Sequence, residues 1–215
     1  MNYIERINEL FDLHFGDQTM KRFFPAEESD AFSHLESMES RHQTYWDLNF
    51  KVKIYSNEYG QQHIENLLKF KNSGAPYLNK YWLASHCDDD AYYFLFSMVP
   101  GKDMLFELID DFSIDRACHF IRVALESIET NMLASDEYGY LMAHDYKLFN
   151  TIHYQDQAIC FDYDVISRID TVEPLYREFW HKLEVDDLAA PTLGIAPEVQ
   201  KQILDEFQNE REQFN

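Results

Sequence analysis

The chain has 215 residues, 46% of them apolar and 16% aromatic, enough for one sizeable core and too apolar for a disordered segment. A formal net charge of −21 sets its surface against nucleic acid and against anionic membranes, and suits a basic protein partner or plain solubility. The cysteines Cys87, Cys118 and Cys160 form no CxxC pair, so neither a metal knuckle nor a disulfide framework is expected, and Cys160, inside an apolar run, reads as a buried thiol. The N-terminal MNYIERINELFDLHF is acidic and amphipathic rather than a signal peptide, and no run of eighteen apolar residues exists. A cytoplasmic, reducing compartment fits these features, with delivery into another cell by some other signal left open.

In chain order, Ile4, Ile7, Leu10, Phe11 and Leu13 recur at helical spacing and predict a helix over 2–14. Phe23, Phe24, Phe32 and Leu35 could sit on strands separated by Pro25 and the polar run Glu27–Asp30. From Tyr45 to Tyr55 the alternation reads as a strand, with Val52 and Ile54 on one face and Lys51 and Lys53 on the other. A helix follows from Asn57, with Ile64, Leu67, Leu68 and Phe70 as its stripe and Asn72-Ser73-Gly74 as its end. Tyr81–Ala84 and Tyr92–Met98 read as two further strands, and Pro100-Gly101 breaks the pattern.

Beyond that break Met104–Ile109 is a short helix, and Ser113 caps a long one through Met132 with Ile114, Ala117, Cys118, Ile121, Ala124, Leu125 and Ile128 as its stripe. Short strands are expected at Thr151–Tyr154 and Ile159–Phe161, then helices over Val172–Leu183 and from Pro197 to Phe207. Strands dominate the first half and helices the second, which predicts an α+β chain in two lobes.

The chemistry-bearing stretch is AHDYKLFN, followed by an apolar run and Asp162-Tyr163-Asp164. Asp145, Lys147 and Asn150 stand as D-x-K-x-x-N, and Asp162 comes twelve residues after Asn150. Phosphoryl transfer from ATP needs such a set: a carboxylate for the hydroxyl proton, a lysine for the moving phosphate, and an amide with a second carboxylate for a metal ion. Other chemistries fare worse, since no HExxH or GxSxG appears.

These motifs resemble the eukaryotic-type protein kinase superfamily in a reduced bacterial form, similar to small effector kinases or kinases of lipopolysaccharide core sugars. AHDYKLFN is similar to the catalytic loop H-R-D-L-K-x-x-N, with Ala143 and His144 in place of histidine and arginine. The match implies Asp145 as catalytic base, Lys147 on the γ-phosphate, and Asn150 and Asp162 as ligands of Mg2+. FLFSMVPGKDMLFEL resembles the fifth strand and hinge, so backbone groups of Ser97 and Val99 would meet adenine and Asp103 the ribose. Lys53, with Lys51 as the alternative, would contact the α- and β-phosphates and be held by Glu65. Phe32 and Ser33 fall in the stretch matched to the glycine-rich loop, where Glu28 and Asp30 stand at the first two glycine positions. Ala196-Pro197-Glu198 spells A-P-E, but a helix-like stretch precedes it and little chain follows it, so it reads as coincidence.

The resemblance implies a single kinase-like domain over 1–215. It has a small antiparallel-sheet N-lobe at 1–97 with an extra N-terminal helix, a hinge at 98–101 and a reduced, mostly helical C-lobe at 102–215. The activity it implies is ATP- and Mg2+-dependent phosphorylation of Ser/Thr in an unidentified protein substrate. A kinase of a sugar or other small alcohol stays open because Asp164 replaces glycine, as in lipopolysaccharide core kinases. A pseudokinase acting as a binding or scaffold module stays open because of the acidic phosphate loop.

Overall fold

The structure, a computed structural model, describes residues 33–36, 42–46, 49–89 and 91–214. The helix expected over 2–14, the strand candidates at Phe23, Phe24 and Phe32, and Glu28 and Asp30 lie outside these residues. The chain divides into two compact units, residues 1–65 with 80–98 and residues 66–79 with 99–215. Among the described residues no helix is long and apolar enough to cross a membrane.

The first unit is a five-stranded antiparallel sheet in the order β1-β2-β3-β5-β4. Its strands are β1 (Ser33–Glu36), β2 (His42–Trp46), β3 (Phe50–Ser56), β4 (Trp82–Cys87) and β5 (Ala91–Ser97). The single strand expected from Tyr45 to Tyr55 is therefore a hairpin, its two arms paired from His42↔Tyr55 to Trp46↔Lys51. Apolar and polar residues alternate from Trp46 to Ile54, straight through the turn, so periodicity alone does not mark the reversal. The middle strands are covered on both faces: Val52, Lys53, Ile54 and Tyr55 of β3 are all buried, as are Tyr93, Phe94, Leu95 and Phe96 of β5. A two-faced environment overrides the simple alternation expected around Lys51 and Lys53.

Helix α1 (Asn57–Asn72) starts directly after β3, and its residues up to Glu65 belong to this first unit. It turns Gly60 and His63 onto the sheet, where the His63 ring lies 4.3 Å from Tyr55 and 5.4 Å from Phe94. Gly60 is required by close approach, because a Cβ there would lie 2.4 to 2.5 Å from the Tyr92 side chain.

The second unit takes in α1 from Asn66 onward and α2 (Pro76–Lys80) as far as Asn79. Leu67 and Phe70 are fully buried, whereas Leu68, expected on the same stripe, is exposed. Helix α3 (Met104–Asp110) is capped by Asp103, whose carboxylate accepts from Phe106 N at 2.9 Å. Helix α4 (Ile114–Met132) is the centre of the unit. Ser113 caps it as expected, its Oγ accepting from Arg116 N at 3.1 Å. Its buried face runs through Ala117, Phe120, Ile121, Ala124, Ile128 and Met132, each large side chain contributing roughly 1.5–3 kcal/mol by leaving water.

The rest of the unit is less helical than its composition indicates. Strands β6 (Leu133–Asp136), β7 (Gly139–Ala143) and β10 (Ile166–Ile169) form a three-stranded sheet in the order β10-β7-β6. They escaped notice because each spans only four or five residues with no sustained alternation. Gly139 has φ 133°, and a Cβ there would meet Ile169 O at 2.7 Å, so only glycine lets β10 lie this close. Strands β8 (Thr151–Tyr154) and β9 (Gln157–Cys160) form a second hairpin close to the expected positions. Helix α5 (Glu173–Lys182) continues into a π-helical turn at Leu183–Asp187. Three short helices follow, α6 (Ala190–Leu193), α7 (Pro197–Asp205) and α8 (Gln208–Glu212).

Gly60→Ala separates two opposed effects. Alanine gains about 1 kcal/mol of helix propensity, but overpacking against Tyr92 costs about 1–3 kcal/mol. Net destabilisation is expected in urea denaturation, and a more stable variant would show that the α1–β5 contact is looser than described.

Candidate active site

The site is built in the second unit where β7 ends at Ala143 and the chain crosses to β8. His144 N donates to Val165 O at 2.7 Å, which continues the sheet contact one residue past β7. The His144 ring is bracketed, with Nδ1 2.6 Å from Glu178 Oε2 and Nε2 2.6 Å from Ser167 Oγ. Asp145 then adopts a left-handed backbone, φ 68°. A non-glycine residue there costs on the order of 1–3 kcal/mol unless its surroundings enforce it, and aspartate is among the residues that tolerate it best. Here Glu178 Oε1 accepts from Asp145 N at 3.2 Å, and Asn150 Nδ2 donates to Asp145 O at 3.0 Å.

The following residues are pinned in turn. Tyr146 is buried, its hydroxyl donating to Ala124 O of α4 at 2.9 Å and its ring 5.6 Å from Phe179. Leu148 N donates to Asp187 Oδ2 at 2.7 Å, and Thr151 Oγ1 donates to Lys147 O at 2.8 Å. Residues Leu148–Asn150 close as a single 3-10 turn, which turns Asn150 back toward Asp145.

Charge converges on the Asp145 carboxylate. Oδ1 receives Lys147 Nζ at 3.1 Å and also Lys182 Nζ, while Oδ2 receives Asn150 Nδ2 at 2.8 Å. Burial pushes its pKa up, but the Lys182 hydrogen bond and the Lys147 and Lys182 charges outweigh burial and hold it below the ordinary aspartate value. Glu178 behaves alike: burial raises it, and the bonds to His144 and Asp145 N, with the Lys182 charge at 3.8 Å, bring it below the usual glutamate value. Both groups are carboxylates at neutral pH.

The second acidic residue of the motif is carried by the β8–β9 hairpin. Thr151 pairs with Cys160, and beyond that pair Phe161 N donates to Asn150 O at 3.1 Å, which puts Asp162 one residue from the Asn150 backbone. Asn131, fully buried on α4, sets the position of β9: its Nδ2 donates to Ala158 O at 2.7 Å and its Oδ1 accepts from Cys160 N at 3.1 Å. Tyr163 is buried between Phe70, 5.5 Å away, and Tyr77, stacked at 6.3 Å. Burial raises the Tyr77 pKa, and the nearby charges of Asp162 and Asp164 raise it further.

Asn150 commits its amide hydrogens to Asp145 and keeps its amide oxygen as an acceptor. The Asp162 carboxylate, next in the chain to Phe161, whose N–H is bonded to Asn150 O, would be a second hard oxygen donor. Among the described residues no group of three or more His, Cys, Asp or Glu forms a metal cage. Two oxygens suit Mg2+, which keeps several waters and binds substrate phosphates, better than Zn2+ or Ca2+.

The other expected residues are placed as follows. Lys53 is buried at 7% exposure on β3, between the cross-strand neighbours Thr44 and Phe94, whereas Lys51 lies over the Phe96 ring at 5.6 Å. A lysine this buried is uncommon without an anionic partner or task. Glu65 is exposed, on the face of α1 opposite His63 and Leu67. Ser97 N is spent within the first unit on Tyr81 O at 2.8 Å, and Val99, buried, belongs to the second. Asp103 is occupied as the cap of α3, and burial raises its pKa. Ser33 opens β1 opposite Trp46, so the end of the stretch matched to a phosphate loop is strand; Phe32 lies outside the described residues.

Sequence reading missed Glu178, Lys182 and Asp187, which reach the loop from 33 to 39 residues downstream. The available signal was the i, i+4 spacing of Glu178 and Lys182 on one face of a helix whose other face is Leu175, Phe179 and Trp180.

No family model matches the chain, and no curated protein sequence matches it. Among solved structures it is similar in fold to monomeric WbdD, described elsewhere as a bifunctional kinase-methyltransferase, at 14% identity and TM-score 0.44, over 79% of this chain and 45% of that one. It is also similar to Rad53 residues 1–466 in complex with AMP-PNP, at 13% identity and TM-score 0.37, over 68% of this chain and 43% of that one. The chain thus spans less than half the length of these structures.

Asp187 gives the site a measurable pH signature. It is 1% exposed, only Oδ2 bonds Leu148 N, and Oδ1 is buried without a partner among the described residues, so burial pushes its pKa up to about 7. Between about pH 4 and 7 the folded chain holds a proton there that the unfolded chain, with an aspartate pKa of about 3.9, has released. This group's contribution to stability therefore falls as pH rises through that window, by on the order of 4 kcal/mol in total. Asp187→Asn keeps an acceptor for Leu148 N and removes the titration. Denaturation midpoints at pH 5 and 8 should show the variant gaining on the wild type at pH 8, and a pH-independent difference would refute a raised pKa.

Proposed function

We propose that the chain transfers the γ-phosphoryl group of ATP to an alcohol, a Ser/Thr side chain of a protein being the acceptor class. The observation that carries this reading is the Asp145 carboxylate, ionised, held in a strained backbone and flanked by Lys147 and Lys182 on one oxygen and Asn150 on the other. A carboxylate that is only buried is commonly structural. One held ionised beside two ammonium groups and an amide–carboxylate pair matches the demands of phosphoryl transfer, which needs positioning and charge compensation more than covalent chemistry.

In this reading the acceptor O–H bond breaks and its proton passes to Asp145. The acceptor oxygen bonds phosphorus as the P–O bond to ADP breaks, its electron pair staying on ADP. Lys147, 18% exposed, offers its ammonium to the group in flight, and its place two residues after Asp145 favours a Ser/Thr acceptor. Mg2+, held by Asn150 and Asp162, would supply charge neutralisation on the phosphates. Lys53 is the candidate for the α- and β-phosphates. Glu178 and Ser167 fix His144, and Glu178 with Asn150 fixes the Asp145 backbone, so the base is preorganised before any substrate arrives. One feature favours a small cyclic alcohol as the alternative acceptor. Phe149 and Phe106, both exposed and 5.9 Å apart, offer an aromatic face beside Lys147.

Transfer of labelled γ-phosphate to a mixture of basic proteins, with a panel of monosaccharides in parallel, tests this. Asp145→Asn should lower the rate about 10²–10⁴-fold, the usual worth of a general base. Its melting temperature should still rise saturably with ATP and Mg2+, because nucleotide binding does not need the base. Label transfer that persists in Asp145→Asn removes the assignment, and an unmoved wild-type melting temperature under ATP with any divalent ion removes the enzyme reading.

A further inference from the structure

Lys182 is the last residue of α5, and nothing in D-x-K-x-x-N requires it. The helix that bears it is rooted in the core by Leu175, Phe179 and Trp180, all at most 5% exposed, so the lysine leaves a fixed point and only its side chain can move. Its ammonium bonds Asp145 Oδ1, the same atom that Lys147 approaches at 3.1 Å, while Oδ2 is taken by Asn150 at 2.8 Å. Both oxygens of the proposed base are thus occupied, yet an acceptor hydroxyl must reach one of them to give up its proton.

Oδ1 is the oxygen that can be vacated. Asn150 holds Oδ2 with the same amide group that holds the Asp145 carbonyl, and releasing it would undo the strained backbone. Lys182 has no such second duty on Asp145. Its other close partner, Glu178 at 3.8 Å, is already bonded to His144 and to Asp145 N. An ammonium only 22% exposed that leaves Asp145 needs another anion nearby, because a partly buried unpaired charge is unfavourable. The group being transferred brings that anion to the same place, since the acceptor oxygen it bonds is the one lying against Asp145.

Resting on the phosphotransferase reading, we propose that Lys182 is a second phosphoryl-contacting lysine: the acceptor hydroxyl displaces it from Asp145 Oδ1, and its ammonium moves onto a non-bridging oxygen of the phosphoryl group in flight, alongside Lys147. Lys182 makes and breaks no covalent bond. The proton goes from acceptor to Asp145, and the electron pair of the broken P–O bond stays on ADP. The contact exists only while the phosphoryl group is passing, so it acts on the chemical step and not on nucleotide affinity. Two lysines would then share the charge that builds on the equatorial oxygens.

Steady-state transfer by the full chain, comparing Lys182→Met and Lys182→Arg with the wild type, decides this. Lys182→Met should lower kcat about 10- to 100-fold, on the scale of losing one preorganised charge donor, with KM for ATP changed less than about threefold. Lys182→Arg should recover most of the loss, and melting temperatures should show both variants folded. A Lys182→Met enzyme as fast as the wild type, or faster, overturns the proposal, the faster case identifying Lys182 as a latch over the base. A loss that Lys182→Arg does not repair, with a lowered melting temperature, also overturns it by making the lysine structural. A wild type that transfers nothing removes the phosphotransferase reading itself, whereas an active wild type with an indifferent Lys182 removes only this inference.

Discussion

A carboxylate in a left-handed turn is unstable in two ways at once, because its backbone is strained and its charge is partly withdrawn from water. At Asp145 both problems are answered by the same few groups. Asn150 bonds the carbonyl and one carboxylate oxygen, Glu178 bonds the amide, and Lys147 and Lys182 compensate the charge. These contacts tie the loop at Asp145 to α5 through Glu178 and Lys182, and to the β8–β9 hairpin through Asn150, whose carbonyl accepts from Phe161 N.

The surrounding unit can be understood as support for that junction. Helix α4 supplies Asn131, which satisfies two backbone groups of β9, and the carbonyl of Ala124, which takes the Tyr146 hydroxyl. The π-helical turn after α5 supplies Asp187 to Leu148 N. Such turns recur where a helix must redirect a side chain to a functional site. Tyr163 docks between Phe70 and Tyr77 and so anchors the Asp162–Asp164 segment by its middle residue. Buried polar groups that are fully bonded rigidify, whereas Asp187 Oδ1, buried without a partner among the described residues, belongs to a carboxyl group whose pKa burial pushes up to about 7.

Much of this was legible because the informative spacings are local. D-x-K-x-x-N places three side chains within six residues, and the structure brings Asp145, Lys147 and Asn150 into direct contact. The capped α4 and the β8–β9 hairpin follow from a Ser N-cap and from turn residues between apolar pairs. What escaped depends on distant contacts. Lys182 and Glu178 look like a surface pair until α5 is folded against the loop, and Asp187 resembles any acidic helix end. The β2–β3 reversal was hidden because the alternation from Trp46 to Ile54 runs straight through the turn, and β6, β7 and β10 are too short to declare a period. Leu68, expected in the apolar stripe of α1, is exposed, as is Glu65.

The central claim is that Asp145, Asn150 and Asp162 form one phosphoryl-transfer site. Crystals grown with a non-hydrolysable ATP analogue and Mn2+ in place of Mg2+ test it most directly, since the manganese can be located by its anomalous scattering. The account predicts manganese bonded to Asn150 Oδ1 and an Asp162 carboxylate oxygen, with the terminal phosphate lying near Lys147. Manganese and nucleotide bound elsewhere, with Asn150 and Asp162 touching neither, would contradict it.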